Sequence, residues 1–209
     1  MSQNALTHSR WRVFLPHAAA IVLFLLLSYL YFFPLLQGKT VAQTDRDQWQ
    51  GSAQELEQYR QTHEGEQSLW TGSMFSGMPA VMVSLTYEKN VISPIDSILN
   101  FGARPASYLF IAMLGFYILL LVLDVNPWLA ILGAVGYAFS TYFFIIIGAG
   151  HNAKLHAISY MAPMVAGVLL AYKQKYVAGA GLFALSLALS LATGHVQITY
   201  YTFFILLAV

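Results

Sequence analysis

Long uncharged apolar runs set the plan of this chain. Five of them, at 13–36, 105–123, 127–148, 155–172 and 176–193, are each 18 or more residues long. About 20 apolar residues carry a helix across about 30 Å of hydrocarbon, so each run is read as a membrane-spanning helix. A sixth run, 198–209, has met no polar flank after 12 residues, where the sequence stops. It is read as a truncated sixth helix, and the chain as the front part of a longer protein. No internal repeat, low-complexity tract or flexible linker interrupts the pattern. The expectation is therefore a single all-α polytopic membrane domain over 1–209, with one large loop at 38–104. The first run exceeds the roughly 7 to 15 apolar residues of a signal-peptide core, and its best cleavage candidate, Thr40-Val41-Ala42, is weak. A retained anchor is expected.

The pattern inside the loop is different. Between 47 and 60, Trp49, Ala53, Leu56 and Tyr59 recur at steps of three or four, with Gln and Glu on the other faces. This predicts a short amphipathic helix lying on the membrane surface, with Thr44 and Asp45 standing where an N-cap belongs. A solvated turn follows at 62–66. The stretch 68–79 is uncharged, aromatic and glycine-rich, which suits irregular backbone pressed against the membrane or other helices.

Composition agrees with the membrane reading. Hydrophobic residues make up 58% of the chain, charged residues 9%, and the mean hydropathy is +0.61, whereas soluble domains carry about 25% charge. A net charge of +1 from 10 basic and 9 acidic residues provides no field for a polyanion, so no nucleic-acid partner is expected. The absence of cysteine excludes disulfides, thiolate metal sites and cysteine nucleophiles. Residues 38–104 hold 13 of the 19 charges, including 8 of the 9 acids. Arg10 and Arg12 before the first run, and Lys173 and Lys175 between the fourth and fifth, place the N-terminus in the cytoplasm by the positive-inside rule. The large loop and the turns 148–154 and 194–197 then face outward.

Candidate chemistry gathers on that outer face. The 85 residues after Asp124 contain no carboxylate, which leaves Asp45 and Asp47 as the acids nearest both a helix and the outer surface. Asp45-Arg46-Asp47 could also hold a divalent cation such as Mg²⁺ or Mn²⁺ through oxygen ligands, or Asp45 could simply cap the loop helix. Glu55, Glu57, Glu64 and Glu66 read as solvated charge. His151, Lys154 and His156 share one outer turn, and His195 and Gln197 the next. Each has a bland reading as a snorkelling lysine or a packing histidine. Together with Asp45 they could hold an anion beside a base. Gly133, Gly136, Gly179 and Gly181 read as packing positions. No His-x-x-x-His pair, phosphate-cradling glycine loop or Gly-x-Ser-x-Gly motif is present.

Four ordered motifs carry a family resemblance: Gln43-Thr44-Asp45 with Gln48-Trp49; Leu69-Trp70-Thr71 with Ser73-Met74-Phe75-Ser76-Gly77-Met78-Pro79; Gly150-His151-Asn152-Ala153-Lys154; and His195-Val196-Gln197-Ile198-Thr199-Tyr200-Tyr201. In this the chain resembles the N-terminal part of YfhO-like bacterial membrane proteins. The resemblance implies a GT-C-like helical bundle whose large first extracytoplasmic loop carries surface helices. It also implies transfer of a sugar from a polyprenyl-phosphate donor to a cell-envelope glycan or lipid acceptor, outside the bacterial cytoplasmic membrane. Carried over by position, Asp45 would be the catalytic base. His151, Lys154, His195 and Gln197 would contact the carrier phosphate or leaving group, and Trp49 and Trp70 would stack on a sugar or anchor the loop. Asp47 falls where the family is not expected to need an acid. The alternative is a non-catalytic membrane scaffold or assembly subunit that keeps the fold. Transport of a lipid-linked sugar is disfavoured by the scarcity of polar residues within the runs.

Overall fold

A computed structural model describes residues 3–84, 90–101 and 104–208, with side chains from Val13 onward. About 75% of it is helical. Among the described residues the strands are β1 (Trp70–Thr71) and β2 (Met78–Pro79), an antiparallel pair with Trp70 opposite Pro79. The side chains of Arg10 and Arg12, used above for orientation, lie outside the described residues.

The helices follow the apolar runs. Helix α1 (Gln3–Tyr31) is followed by the short α2 (Phe33–Leu36), which carries Pro34 in its first turn, where a missing N–H costs nothing. The loop holds α3 (Thr44–Thr62), the β1–β2 hairpin and α4 (Ser93–Asn100). Then come α5 (Ala106–Val122), α6 (Pro127–Ala138), α7 (Thr141–Ala149), α8 (Asn152–Ser159), α9 (Met161–Tyr172), α10 (Tyr176–Ala192) and α11 (Val196–Ala208). Two stretches, Val13–Tyr31 and Asn152–Tyr172, are long and apolar enough to cross a membrane, and α6 with α7 makes a third if the bent pair is one span. Helices α5 and α10 are apolar but only 17 residues long.

The run 127–148, expected as one helix, is broken. Helices α6 and α7 meet at 42°. Phe139 ends the first, and Ser140 enters the second with extended backbone (φ −64°, ψ 146°), the conformation of an N-cap. Hydropathy registers only that Ser140-Thr141 are uncharged. It does not register that a hydroxyl pair favours starting a new helix over continuing an old one.

Small residues let the helices approach. Helix α9 packs on α10 where a Cβ at Gly167 would lie 2.7 Å from the Phe183 nitrogen and one at Gly179 would lie 2.6 Å from the Gly167 carbonyl oxygen. Gly133 meets Leu120 closely, as expected of a packing position, whereas Gly136 and Gly181 have nothing within 4 Å. Helix α5 lies centrally, with α1, α6, α8 and α9 against it. Its first turns are almost wholly buried, and the surrounding core is rich in alanine and serine, including Ala20, Ala130, Ala134, Ser28 and Ser159. It also buries large apolar side chains, among them Phe24, Leu109, Met113 and Leu155, while others, Val22, Leu26, Leu129, Leu132, Val177 and Leu207, are exposed.

Lys173 bonds both the Asp124 carboxylate and the Val122 carbonyl, fastening the α5–α6 turn to the α9–α10 turn. This latch lies at the far end of α5 from the loop.

Gly167→Leu is expected to lower stability by about 1–3 kcal/mol, because backbone rather than a movable side chain stands in its way. Gly136→Leu should leave stability unchanged. Thermal unfolding of the detergent-solubilised proteins checks the pair.

Candidate functional site

The site is assembled by a contact between the start of the loop and a helix turn more than 100 residues later. The buried Gln43 side chain donates from Nε2 to the Ile147 carbonyl (2.6 Å) and to Asn152 Oδ1 (3.1 Å), while Asn152 Nδ2 donates back to Gln43 Oε1 (2.9 Å). Between them passes Gly150, with φ +99°. A Cβ there would sit 3.2 Å from the Arg46 nitrogen and from the Asp45 and Gln43 Cβ atoms, so glycine serves both the left-handed turn and the close approach.

This contact aims Asp45. Helix α3 begins at Thr44 with Gln43 as its N-cap residue, so Thr44 and Asp45 lie in the first helical turn rather than at the cap. The Asp45 carboxylate instead reaches His151, with Oδ2 3.0 Å from Nδ1.

Asp45 and His151 border an open cavity of about 1060 Å³ between the loop and the ends of the helices. Trp49, Lys154 and His195 also line it. Trp49 donates its indole N–H to the Val83 carbonyl (2.7 Å), and the Lys154 ammonium stands 5.4 Å from the Tyr142 ring centre. Burial lowers the pKa of His195, and the positive charges of Lys154 and His151 lower it further.

Three predicted residues fall elsewhere. Gln197 donates to the Tyr201 hydroxyl (2.8 Å) and is not on the cavity wall. Trp70 lies over Gly77, where a Cβ would come within 2.6 Å of the indole nitrogen, and it too is off the wall. Asp47 is exposed and also off the wall. Among the described residues no three His, Asp or Glu side chains come together as metal ligands. With Asp45 engaged by His151 and Asp47 not on the cavity wall, this pair does not fit a divalent cation.

Glu55 is exposed, as expected of a solvated charge, but it also has fixed partners. Its carboxylate accepts from Thr71 Oγ1 (2.5 Å) and from the Gly72 N–H (3.0 Å), docking the hairpin on α3. The Thr71 bond, then the Gly72 bond, hold its pKa below the usual glutamate value.

Of the far wall, where Asp96, Arg104, Tyr108 and His156 meet, sequence reasoning named only His156. Asp96 Oδ1 lies 3.1 Å from His156 Nε2, which is also 3.1 Å from the Tyr160 hydroxyl, and Asp96 Oδ2 lies 3.5 Å from Arg104. Burial pushes the Asp96 pKa up. The hydrogen bond and charge of His156, with help from Arg104 and Asn100, outweigh burial and hold it below the ordinary aspartate value. The available signal was Ser93-Pro94, a helix start that places Asp96 in a first turn.

The wall carries four fixed positive charges, Lys39, Arg46, Arg104 and Lys154, against two carboxylates, Asp45 and Asp96. The cavity is thus a cationic chamber with two carboxylate–histidine pairs.

No protein-family model, curated protein or solved structure matches this chain.

The Glu55 geometry fixes a pH dependence. A folded-state pKa below the unfolded value of about 4.3 means that hairpin docking is fully stabilised above that value and is lost as pH falls through the folded pKa. Hydrogen exchange at the Gly72 amide should accelerate, relative to intrinsic rates, as pH drops from 5 toward 3. In Glu55→Gln the amide should already be poorly protected at pH 7.

Proposed function

We propose that the chain is the N-terminal part of a YfhO-like, GT-C-type membrane glycosyltransferase. It would move a sugar from a polyprenyl-phosphate donor to a cell-envelope glycan or lipid acceptor on the extracytoplasmic face of a bacterial cytoplasmic membrane. The observation that supports this best is the cavity itself, where Asp45, His151, Lys154 and His195 converge from separate parts of the chain. The outward-facing apolar side chains of α1, α6, α10 and α11 support insertion in lipid. In this reading the Lys173–Asp124 end is cytoplasmic and the cavity opens outside.

The chemistry follows from the charges. In transfer, the acceptor oxygen bonds to the anomeric carbon while the bond from that carbon to the carrier phosphate oxygen breaks, leaving its electron pair on the phosphate. The acceptor hydroxyl proton goes to Asp45. The carrier phosphate gains negative charge as the bond breaks, so fixed cations beside it favour the transition state over the ground state. Lys154, with His151 and His195, would supply that stabilisation, and Trp49 offers an aromatic face to the sugar. Gln197 and Trp70 do not border the cavity and are given no role in this reading.

A scaffold reading rests on one observation: the Asp45–His151 pair also works as a latch between the loop and the α7–α8 turn. Mass spectrometry of lipids that copurify with gently extracted protein separates the two readings. Wild type and Asp45→Asn should both retain a polyprenyl phosphate or its glycosylated form. Lys154→Ala should lose about tenfold or more of it, and Asp45→Asn should lower sugar transfer by about 10²–10⁴. Bulk phospholipid alone in all three samples would favour the scaffold.

A further inference from the structure

Among the described residues three tyrosines are deeply buried, and two of them have the hydroxyl partner that burial calls for. The Tyr117 hydroxyl lies 2.7 Å from His17 Nδ1, and the Tyr160 hydroxyl 3.1 Å from His156 Nε2. Tyr108, 4% exposed, is the exception. Its hydroxyl makes no hydrogen bond to any described residue, yet it is not sealed from water as the unpartnered Ser28 hydroxyl is. Tyr108 stands on the cavity wall, so the hydroxyl is open toward the cavity.

His156, on the same wall and scarcely more exposed, repeats the pattern. Its ring stands 4.8 Å from that of Tyr108, tilted by 35°. Nε2 faces both Asp96 Oδ1 and the Tyr160 hydroxyl at 3.1 Å. Oδ1 is shut off from water with no well-directed donor of its own, so Nε2 carries a proton toward it, because a lone pair there would face the carboxylate charge. In the neutral ring Nδ1 is then the acceptor. Among the described residues Nδ1 has no partner, and it is not sealed from water either. The Ser159 hydroxyl donates to the Tyr108 carbonyl (3.3 Å) and ties α8 to α5 beside the two rings. Tyr108 from the first turn of α5 and His156 from α8 thus bring one hydroxyl and one ring nitrogen, both unused by the fold, to one stretch of wall.

We propose that Tyr108 and His156 form the subsite that reads the hydroxyl groups of a neutral sugar, Tyr108 through its own hydroxyl and His156 through Nδ1. Asp96 is a positioning residue there, since it fixes which ring nitrogen is left for the ligand. The ligand class rests on the glycosyltransferase reading; the two unused polar atoms do not. A hydroxyl and a neutral imidazole can give and accept hydrogen bonds with a sugar hydroxyl, and a sugar lacking that group would leave them unmatched, which makes the pair specificity-determining. The sugar is carried either by the lipid-linked donor or by a glycan acceptor.

Tyr108→Phe tests this, because it removes only a hydroxyl that the fold does not use. Its thermal unfolding should match that of wild type; marked destabilisation would make the hydroxyl structural and overturn the subsite. Saturation-transfer NMR on the chain in a detergent without a sugar headgroup, with glucose, galactose, mannose and N-acetylglucosamine, should show at least one sugar bound to wild type with a Kd of about 10 mM or below. Tyr108→Phe should weaken that sugar by about tenfold. No binding of any of these sugars, or equal binding by wild type and variant, overturns the subsite. The lipids that copurify with Tyr108→Phe assign the sugar. Loss of the glycosylated carrier with the bare polyprenyl phosphate retained makes it the donor's, and retention of both makes it the acceptor's. Sugar binding weakened by Tyr108→Phe in a protein that carries no polyprenyl phosphate keeps the subsite and drops the transferase reading. Polyprenyl phosphate without sugar binding does the reverse.

Discussion

The amide pair between Gln43 and Asn152 is the constraint on which the site depends. It joins residues 109 apart in sequence and is backed by a third bond from Gln43 to the Ile147 carbonyl. Each buried amide group left without a partner would cost about 1–3 kcal/mol, so the pairing is close to obligatory once the loop is drawn in. Everything functional hangs from it. It sets the first turn of α3 on the α7–α8 turn, Gly150 lets the two backbones touch, and only then does Asp45 face His151. Loss of the pair would leave the helices packed and the cavity without one wall.

The helices themselves rest on another principle. Alanine, serine and glycine sit between them beside buried bulky side chains such as Phe24, Leu109, Met113 and Leu155, and further large aliphatic side chains cover the outside. Close approach of backbones, as at Gly167 and Gly179, adds to that packing. Polar contacts join the helices at the two ends. One end is tied by Lys173 to Asp124, and the other by the loop.

This division explains what the sequence disclosed. The positions of the helices were legible because long uncharged runs leave few alternatives, and the residues at helix mouths stood out because a histidine or lysine beside such a run is conspicuous. His151, Lys154 and His195 stood out that way, and Asp45 as an acid near a helix and the outer face; all four line one cavity. The bend at Ser140 was not, since a hydroxyl costs little on any hydropathy scale. Nor was Asp96. It sits in a loop already crowded with acids, and the Ser93-Pro94 start marks it as a first-turn acid without naming its partner. Only the path of the chain through α4 brings it to His156. Glu55 teaches the same lesson from the other side, because its partners are a hydroxyl and a backbone N–H that carry no charge pattern to read.

The two carboxylate–histidine pairs differ in a way that gives the cavity its polarity. Asp45 and His151 are both substantially exposed, at 41% and 50%, whereas His156 is 6% exposed and Asp96 19%. Water reaches the first pair directly, which suits the base role proposed for Asp45. The second pair is shielded, and the groups around Asp96 favour its carboxylate, which suits a fixed electrostatic role. A chamber with two carboxylates and four fixed cations keeps a positive surplus with Asp45 charged or neutral. Protonating Asp45 raises that surplus further, at the moment when, in the proposed reaction, negative charge appears on the departing phosphate. Charge moves off the acid and onto the leaving group within one cavity, so the total changes little through the step. The surrounding dipoles then need little reorganisation, which is the condition under which a fixed electrostatic site lowers a barrier.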